Sequence, residues 1–262
     1  MNHLFNFVDE NNKISIKASI DGLEAQDGDW LNLNLCVRQE NLCFETTSPD
    51  LEIRELARLK NWFSQISSGH LLDSVGFSNT ECSLDLNYIS HRSKEVYLIV
   101  IMLGCDLRPP FDPYQRRKRT KLPGDSNDLW KTRLVLTAQD IEQTIKNLDH
   151  IMRAYPVNIS ERAVRNANQA QLDQMLNILK IGQSVRLPKQ LLGHDKDERD
   201  VVIDPVEEAE LEIGCVIAYR HPYRSRISTA TIKAVHTNKF FVDDGVWLVK
   251  TQIYGRLLDM SS

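Results

Sequence analysis

The amino-acid sequence predicts an α+β protein: a mainly antiparallel β domain with two helices, then a bridging helix and a small C-terminal β-barrel. Three observations predict this class. Polar and apolar residues alternate in several runs of the first ninety residues, as they do in antiparallel strands with one buried face. Apolar residues recur every three or four positions in three longer segments. Residues 214–258 consist of short apolar runs separated by turn residues.

The first domain, residues 1–157, is predicted to be mostly strand. A stripe of apolar side chains interrupts the strands and predicts an amphipathic helix over 51–67, with a glycine just past its end. A second helix is predicted over 138–153, where Thr137 and Asp140 resemble a capping box. Strands are predicted at 14–20, 31–38, 42–46, 74–79, 82–89 and 95–103.

Residues 158–192 are predicted to form a bridging helix and its connection. The helix covers about 160–181, and its first half is only weakly apolar, which is typical of a helix that joins two domains. The alternative is a dimerisation helix with Met175, Leu176 and Leu179 as its contact patch. Self-association therefore stays open at this point.

The chain from 193 onward is predicted to be an acidic linker followed by a barrel. A mixed and mostly acidic run over 193–212 is typical of a solvated tether. The last segment, 213–262, holds four or five short strands, which predict a small twisted barrel. Asp243-Asp244-Gly245 lies between two apolar runs and predicts a tight hairpin, because glycine tolerates positive φ.

Several classes of protein are disfavoured by the sequence. The longest apolar run, 96–103, is too short to cross a bilayer. The N-terminus lacks the basic and apolar regions of a signal peptide, so we expect a cytoplasmic protein. The 5 cysteines include no C-x-x-C pair, and no histidines cluster beside them. We therefore expect reduced cysteines and no metal site.

No catalytic residue and no cofactor is predicted. The sequence lacks the glycine patterns that bind phosphates and dinucleotides, and it lacks H-E-x-x-H and G-x-S-x-G. Histidines occur singly, and paired carboxylates such as Asp27 with Asp29 fall at turns. Acidic turn residues usually hydrogen-bond the local backbone. These features favour a binding protein over an enzyme.

Charge is distributed unevenly along the chain. Residues 1–100 carry 8 basic and 15 acidic side chains, a net of −7, whereas residues 214–258 carry 7 and 2, a net of +5. This asymmetry is typical of a chain whose two ends meet different partners. Arginines interleaved with tyrosines suit either phosphate and base contacts or a protein interface. The predicted partner-binding residues, here called the basic barrel patch, are Tyr219, Arg220, Tyr223, Arg224, Arg226, Lys233, Lys239, Lys250 and Arg256.

A second basic cluster occupies residues 115–121. Prolines on both sides of this cluster predict a loop. The loop either docks to an acidic partner or a phosphate backbone, or is simply solvated surface. The candidate binding residues of this basic loop are Arg116, Arg117, Lys118, Arg119 and Lys121.

Five short pieces follow one another between residues 28 and 156. They are Asp29-Trp30-Leu31, the helix start at 51–56, the strand at 81–86, the strand at 96–103 with a diproline and an aromatic residue at 109–111, and Tyr155-Pro156. In this order they resemble the Wap-type immunity proteins of bacterial polymorphic-toxin systems. The basic loop and the last hundred residues depart from that pattern. Residues 214–258 are instead similar to a small barrel of the Tudor or KOW kind, a likeness of fold alone.

The resemblance implies a non-catalytic protein that neutralises a cognate bacterial toxin by direct protein–protein contact. The acidic first hundred residues fit a basic target such as a nuclease, because opposite charge speeds encounter. The alternative is a nucleic-acid-associated protein that binds through the basic barrel. Contact with phosphates must weaken steeply with salt, and that dependence separates the two hypotheses. No membrane partner is expected.

Overall fold

The structure is a computed structural model in which the chain forms two compact units, Met1–Ile151 and Met152–Ser262. Each unit is built on an eight-stranded sheet. No helix in the described part of the chain is long and apolar enough to span a membrane. The structure describes residues 2–9, 11–23, 29–69, 76–93, 95–111, 129–159, 167, 169–188, 200–207, 210–221 and 227–258.

The sheet of unit 1 is antiparallel. Its strands are β1 (Asn2–Asp9), β2 (Ile14–Leu23), β3 (Trp30–Gln39), β4 (Leu42–Glu52), β5 (Gly76–Ser78), β6 (Leu84–Ser93), β7 (Val96–Leu103) and β8 (Trp130–Thr137). Their order across the sheet is β4-β3-β2-β1-β8-β7-β6-β5. β1 and β8, which the sequence did not predict, therefore lie side by side at its centre. They share two register pairs, Val8 with Val135 and Asp9 with Leu134.

Two helices of unit 1 begin at capping boxes, of which the sequence predicted only the second. In α1 (Ile53–Ser68), the Glu55 carboxylate accepts the Glu52 backbone N–H at 3.0 Å, and Gly69 ends the helix at φ 70°. In α2 (Ala138–Ala154), the Thr137 N–H donates to the Asp140 carboxylate at 2.8 Å, and the Asp140 N–H returns to the Thr137 hydroxyl at 3.1 Å. Both predicted helices are confirmed, with the α+β class.

Both helices contact β1. Phe7 packs against Phe63 of α1 with ring centroids 6.1 Å apart, and the Asn147 amide of α2 donates to the Leu4 carbonyl at 3.2 Å. Leu4, Phe7 and Phe63 are all buried. Because side chains alternate along a strand, Val8 points to the opposite face from Phe7, and it is 39% exposed. We call that opposite side the open face of unit 1.

Unit 2 contains a second sheet. Its strands are β9 (Val157–Asn158), β10 (Val185–Pro188), β11 (Asp200–Asp204), β12 (Val216–Arg220), β13 (Ile227–His236), β14 (Lys239–Val242), β15 (Trp247–Val249) and β16 (Ile253–Leu258). The order is β15-β14-β13-β12-β16-β11-β10-β9. β12 to β15 form a meander, and β16 returns to pair with β12. The predicted tight hairpin is confirmed: Gly245 has φ 86°, and its N–H donates to the Val242 carbonyl at 3.0 Å.

A separate, closed barrel is not confirmed. The five strands from β12 to β16 are present, but β16 pairs with β11 on its other side, and the sheet continues through β10 to β9. β11 lies inside the segment 193–212 that the sequence assigned to an acidic linker. Val201, Val202 and Ile203 of this strand are buried. The sequence did not predict this strand, because its apolar run is short and the residues around it are mostly acidic.

The predicted bridging helix is partly described, from 169 onward. α3 (Gln169–Met175) passes directly into a 3₁₀ turn over 176–181, which ends at Gly182 with φ 91°. Leu172, Leu176 and Leu179 are at most 4% exposed and belong to the core of unit 2. Leu176 and Leu179 are therefore not available as the contact patch of a dimerisation helix.

Candidate partner-binding surface

The basic residues predicted to bind partners are only partly described by the structure. Tyr223, Arg224 and Arg226 lie outside the described residues, and so do Arg116, Arg117, Lys118, Arg119 and Lys121 of the basic loop. The described members of the basic barrel patch are Tyr219, Arg220, Lys233, Lys239, Lys250 and Arg256.

Tyr219 is not part of an exposed surface, which corrects the prediction for this residue. Its side chain is 0% exposed and packs in a core with Phe240 and Leu248. Its hydroxyl donates to the carboxylate of Asp244. Buried tyrosines normally satisfy the hydroxyl in this way, so Tyr219 fixes the hairpin turn and does not contact a partner.

Arg220 lies beside an acidic residue of α3. Its guanidinium is 3.1 Å from the Asp173 carboxylate, which also accepts the Tyr254 hydroxyl at 2.6 Å. Asp173 therefore connects α3 to both β12 and β16. The Arg220 side chain keeps 53% exposure, so it stabilises unit 2 and still reaches solvent.

Asp173→Ala is expected to lower the free energy of unfolding of unit 2 by about 1 to 2 kcal/mol, because two partners lose their acceptor. Arg220→Gln removes only the partly exposed ion pair and should change stability by about 0.5 kcal/mol or less. Urea denaturation of both variants beside the wild type measures the difference. Equal losses would show that the Tyr254 hydrogen bond contributes nothing.

Two further members of the basic barrel patch are partly buried. The Lys250 ammonium donates to the Val206 carbonyl and so serves the fold. Arg256 is half-buried on β16, between Asp204 of β11 and Ile217 of β12 in the strand register. The patch is thus reduced, among the described residues, to Lys233 and Lys239 as exposed cations without a structural role of this kind.

Unit 2 also has an exposed surface that contains aromatic residues and was not predicted from the sequence. Lys239 pairs with Val249 across β14 and β15, and Phe241 pairs with Trp247. Paired residues point to the same side of a sheet. Trp247 is 50% and Val249 39% exposed, and the Phe241 and Trp247 rings lie 5.2 Å apart. We call these residues, with His236 opposite Lys239, the hairpin surface. Trp247 could have been assigned to this surface from the sequence, because a tight turn at 243–245 pairs Phe241 with Trp247.

In unit 1, two of the family-like sequence pieces meet at one corner. The Glu55 carboxylate, 2% exposed, accepts the Thr80 N–H at 2.8 Å and the Thr80 hydroxyl at 3.0 Å, besides capping α1. The Asn79 side chain accepts the N–H groups of Ser83 and Leu84, both at 2.9 Å. It also donates to the Asp50 carbonyl at 2.5 Å. These buried polar groups hold the start of α1 against the turn before β6.

Comparison with known proteins gives one family. A model of the immunity protein WapI-like family matches residues 7–156. The match covers more than half of the chain and includes the corner around Glu55 and Asn79. Neither a curated protein nor a solved structure shows significant similarity to the chain.

Proposed function

The chain belongs to the immunity protein WapI-like family, and from this premise we propose that it neutralises a cognate bacterial toxin by direct protein–protein contact. The family match over residues 7–156 carries the proposal. In this function the chain performs no chemistry: it binds the toxin and blocks it. The corner residues Glu55 and Asn79 then serve to fix the fold that presents the contact surface.

Long-range attraction supports a basic toxin. Residues 1–100 carry a net charge of −7, and an acidic inhibitor meets a basic target faster than a neutral one does. Nucleases are basic because they grip phosphates, so a nuclease is the toxin class that we propose. The rate of association should then fall with salt, since surface charges are screened.

Short-range contact is proposed for the open face of unit 1. Val8 and Val135 pair across β1 and β8. Val8 is 39% exposed and Val135 is partly exposed. Neighbouring Lys131 and Arg133 of β8 are exposed, so the part of the toxin that meets this face must be acidic or neutral even if the toxin is basic as a whole. An apolar row with a charged rim is the usual anatomy of a protein interface.

Co-expression tests this function. A tagged chain captures its partner from the source bacterium, and the captured protein is then produced in a host with and without the chain. We expect growth arrest by the partner alone and recovery with the chain. Val8→Lys should weaken the recovery, whereas Val216→Lys, at a valine of unit 2 that is 41% exposed, should not. A captured partner that leaves growth unaffected would contradict toxin neutralisation.

A second candidate function, nucleic-acid binding through unit 2, is favoured by the hairpin surface. Trp247 and Phe241 offer flat faces on which bases can stack, and Lys239 and Lys233 supply charge for phosphates. In this candidate the hairpin surface of β14 and β15 makes the contact. The two functions use different units of the chain and can be tested separately.

Trp247→Ala is expected to weaken binding of single-stranded DNA or RNA by about 1 to 3 kcal/mol, the value of one stacked base. Lys239→Gln should reduce the slope of affinity against salt by about one unit. Fluorescence anisotropy at two salt concentrations measures both effects. Lys146→Gln, at an exposed lysine of α2 in unit 1, is the matched control. Absence of binding by the wild type at low salt would eliminate this candidate.

A further inference from the structure

Three ligand atoms suited to a soft metal converge on β3 and β4. The sulfur atoms of Cys36 and Cys43 and a carboxylate oxygen of Glu45 lie within 4.8 Å of one another. In the strand register Cys36 faces Glu45, and Cys43 faces Arg38. All four side chains therefore lie on one side of the hairpin, with the two cysteines as diagonal neighbours. Their separation in sequence is too wide for the usual metal motifs.

The distances agree with a tetrahedral centre. Zinc bonds of about 2.3 Å to sulfur and about 2.0 Å to oxygen place neighbouring ligand atoms roughly 3.5 to 3.8 Å apart at the tetrahedral angle. The Glu45 oxygen is 3.5 Å from the Cys36 sulfur and 3.8 Å from the Cys43 sulfur. Both sulfur–oxygen distances are therefore near those of a tetrahedral centre, and the two sulfur atoms lie within 4.8 Å of each other.

We propose that Cys36, Cys43 and Glu45 form a binding site for a thiophilic divalent cation of the zinc and cadmium class. Two sulfurs and one carboxylate are a donor set that these cations accept. Cys43 and Glu45 are exposed, so the fourth position is open to water or to a ligand from another molecule. The site lies on the open face of unit 1, because Arg38 pairs with Ser15 and Ser15 pairs with Val8.

Metal binding at this site must displace a proton that Cys36 holds more firmly than an ordinary thiol does. Burial and the hydrogen bond to Glu45 raise the pKa of the Cys36 thiol, and the nearby Arg38 guanidinium partly opposes that rise. A bound cation neutralises the negative charge of Glu45 and stabilises both thiolates. Lys17, the register partner of Cys36 on β2, adds a further positive charge at this side of the sheet.

Cadmium titration tests the site. The reduced, metal-free full-length chain is titrated with Cd²⁺, and thiolate-to-cadmium charge-transfer absorption is recorded in the ultraviolet. We expect saturation at one Cd²⁺ per chain. Cys36→Ser and Cys43→Ser should each weaken binding at least about tenfold. Cys82→Ser and Cys105→Ser, at exposed cysteines elsewhere in unit 1, are the matched controls and should bind as the wild type does.

Binding should also depend steeply on pH. Metal binding releases the protons of its thiol ligands, so the apparent affinity should fall as the pH is lowered. Glu45→Gln should also weaken binding, because it removes the carboxylate from the donor set. A saturable band that survives in the Cys36→Ser, Cys43→Ser double variant, or no band in the wild type, would overturn the proposal.

Discussion

Asn79→Ala is expected to lower the free energy of unfolding of unit 1 by about 3 to 5 kcal/mol. The substitution leaves the N–H groups of Ser83 and Leu84 and the Asp50 carbonyl without their partner. Each buried polar group left unsatisfied costs about 1 to 3 kcal/mol. Asn79 is 3% exposed, so water cannot readily replace the lost bonds. Domains have only about 5 to 15 kcal/mol of stability, so this variant approaches the limit of folding.

A second variant and a control check this expectation. Asn79→Asp keeps an oxygen that can accept both N–H groups, but it puts a carboxylate oxygen against the Asp50 carbonyl in place of the donor, so its loss should be at least as large as that of Asn79→Ala. Asn61→Ala, at an exposed position of α1, is the control and should change stability by about 0.5 kcal/mol or less. Urea denaturation measures the loss of stability, and native-state hydrogen exchange shows which unit it affects. A loss below about 1 kcal/mol for Asn79→Ala would show that the corner does not depend on this side chain.

Gly255→Ala is expected to destabilise unit 2 by about 3 kcal/mol. A Cβ atom at this position of β16 would lie 2.3 Å from the Asp204 carbonyl oxygen and 2.9 Å from the Ile203 side chain. The nearest atom is backbone, so relief requires β11 to move away from β16. Forced overpacking of this kind costs about 1 to 3 kcal/mol. Because a whole strand must move, we expect the loss for this variant to lie at the upper end of that range.

Gly214→Ala is a comparison variant that measures the cost of an unfavourable backbone angle without a steric clash. Gly214 has φ 94°, and a Cβ atom added to it would meet no other atom within 4 Å, so alanine there is strained only by its backbone angle. We expect a loss of about 1 kcal/mol for Gly214→Ala. Denaturation curves of the two variants, measured together, isolate the effect of close strand approach. A milder loss for Gly255→Ala than for Gly214→Ala would contradict the steric explanation.

The helices and most strands of unit 1 follow from local patterns, but the central strand β1 does not. α1 has a regular apolar stripe that ends at a glycine, and α2 begins at a capping pair, Thr137 with Asp140. β1 lacks a clear local signal because its register shifts between His3 and Phe5, which breaks the alternation of apolar residues. β8 follows the proline-rich basic segment, yet its residues alternate between buried and more exposed positions over 130–137, which is sufficient to predict a strand.

The candidate binding surface depends on strand register, which composition does not contain. Tyr219 shares its face of β12 with Ile217 and is therefore buried with it. Trp247 lies opposite Phe241 because the 243–245 turn sets that pairing, and it is half exposed. Cys36 and Cys43 likewise meet only through the pairing of β3 with β4. A surface built from paired strands can be predicted only after the pairing is known.

The junction between β1 and β8 also has a consequence for the order of folding. β1 to β4 pair with neighbours in sequence, and so do β5 to β8, so each group can form from local contacts as soon as it is synthesised. Val8 and Asp9 must instead wait for Leu134 and Val135, which leave the ribosome much later. Loop closure over so long a segment slows this step. Until then the edge of β1 is unpaired, and nascent chains are exposed to strand exchange with one another at this edge.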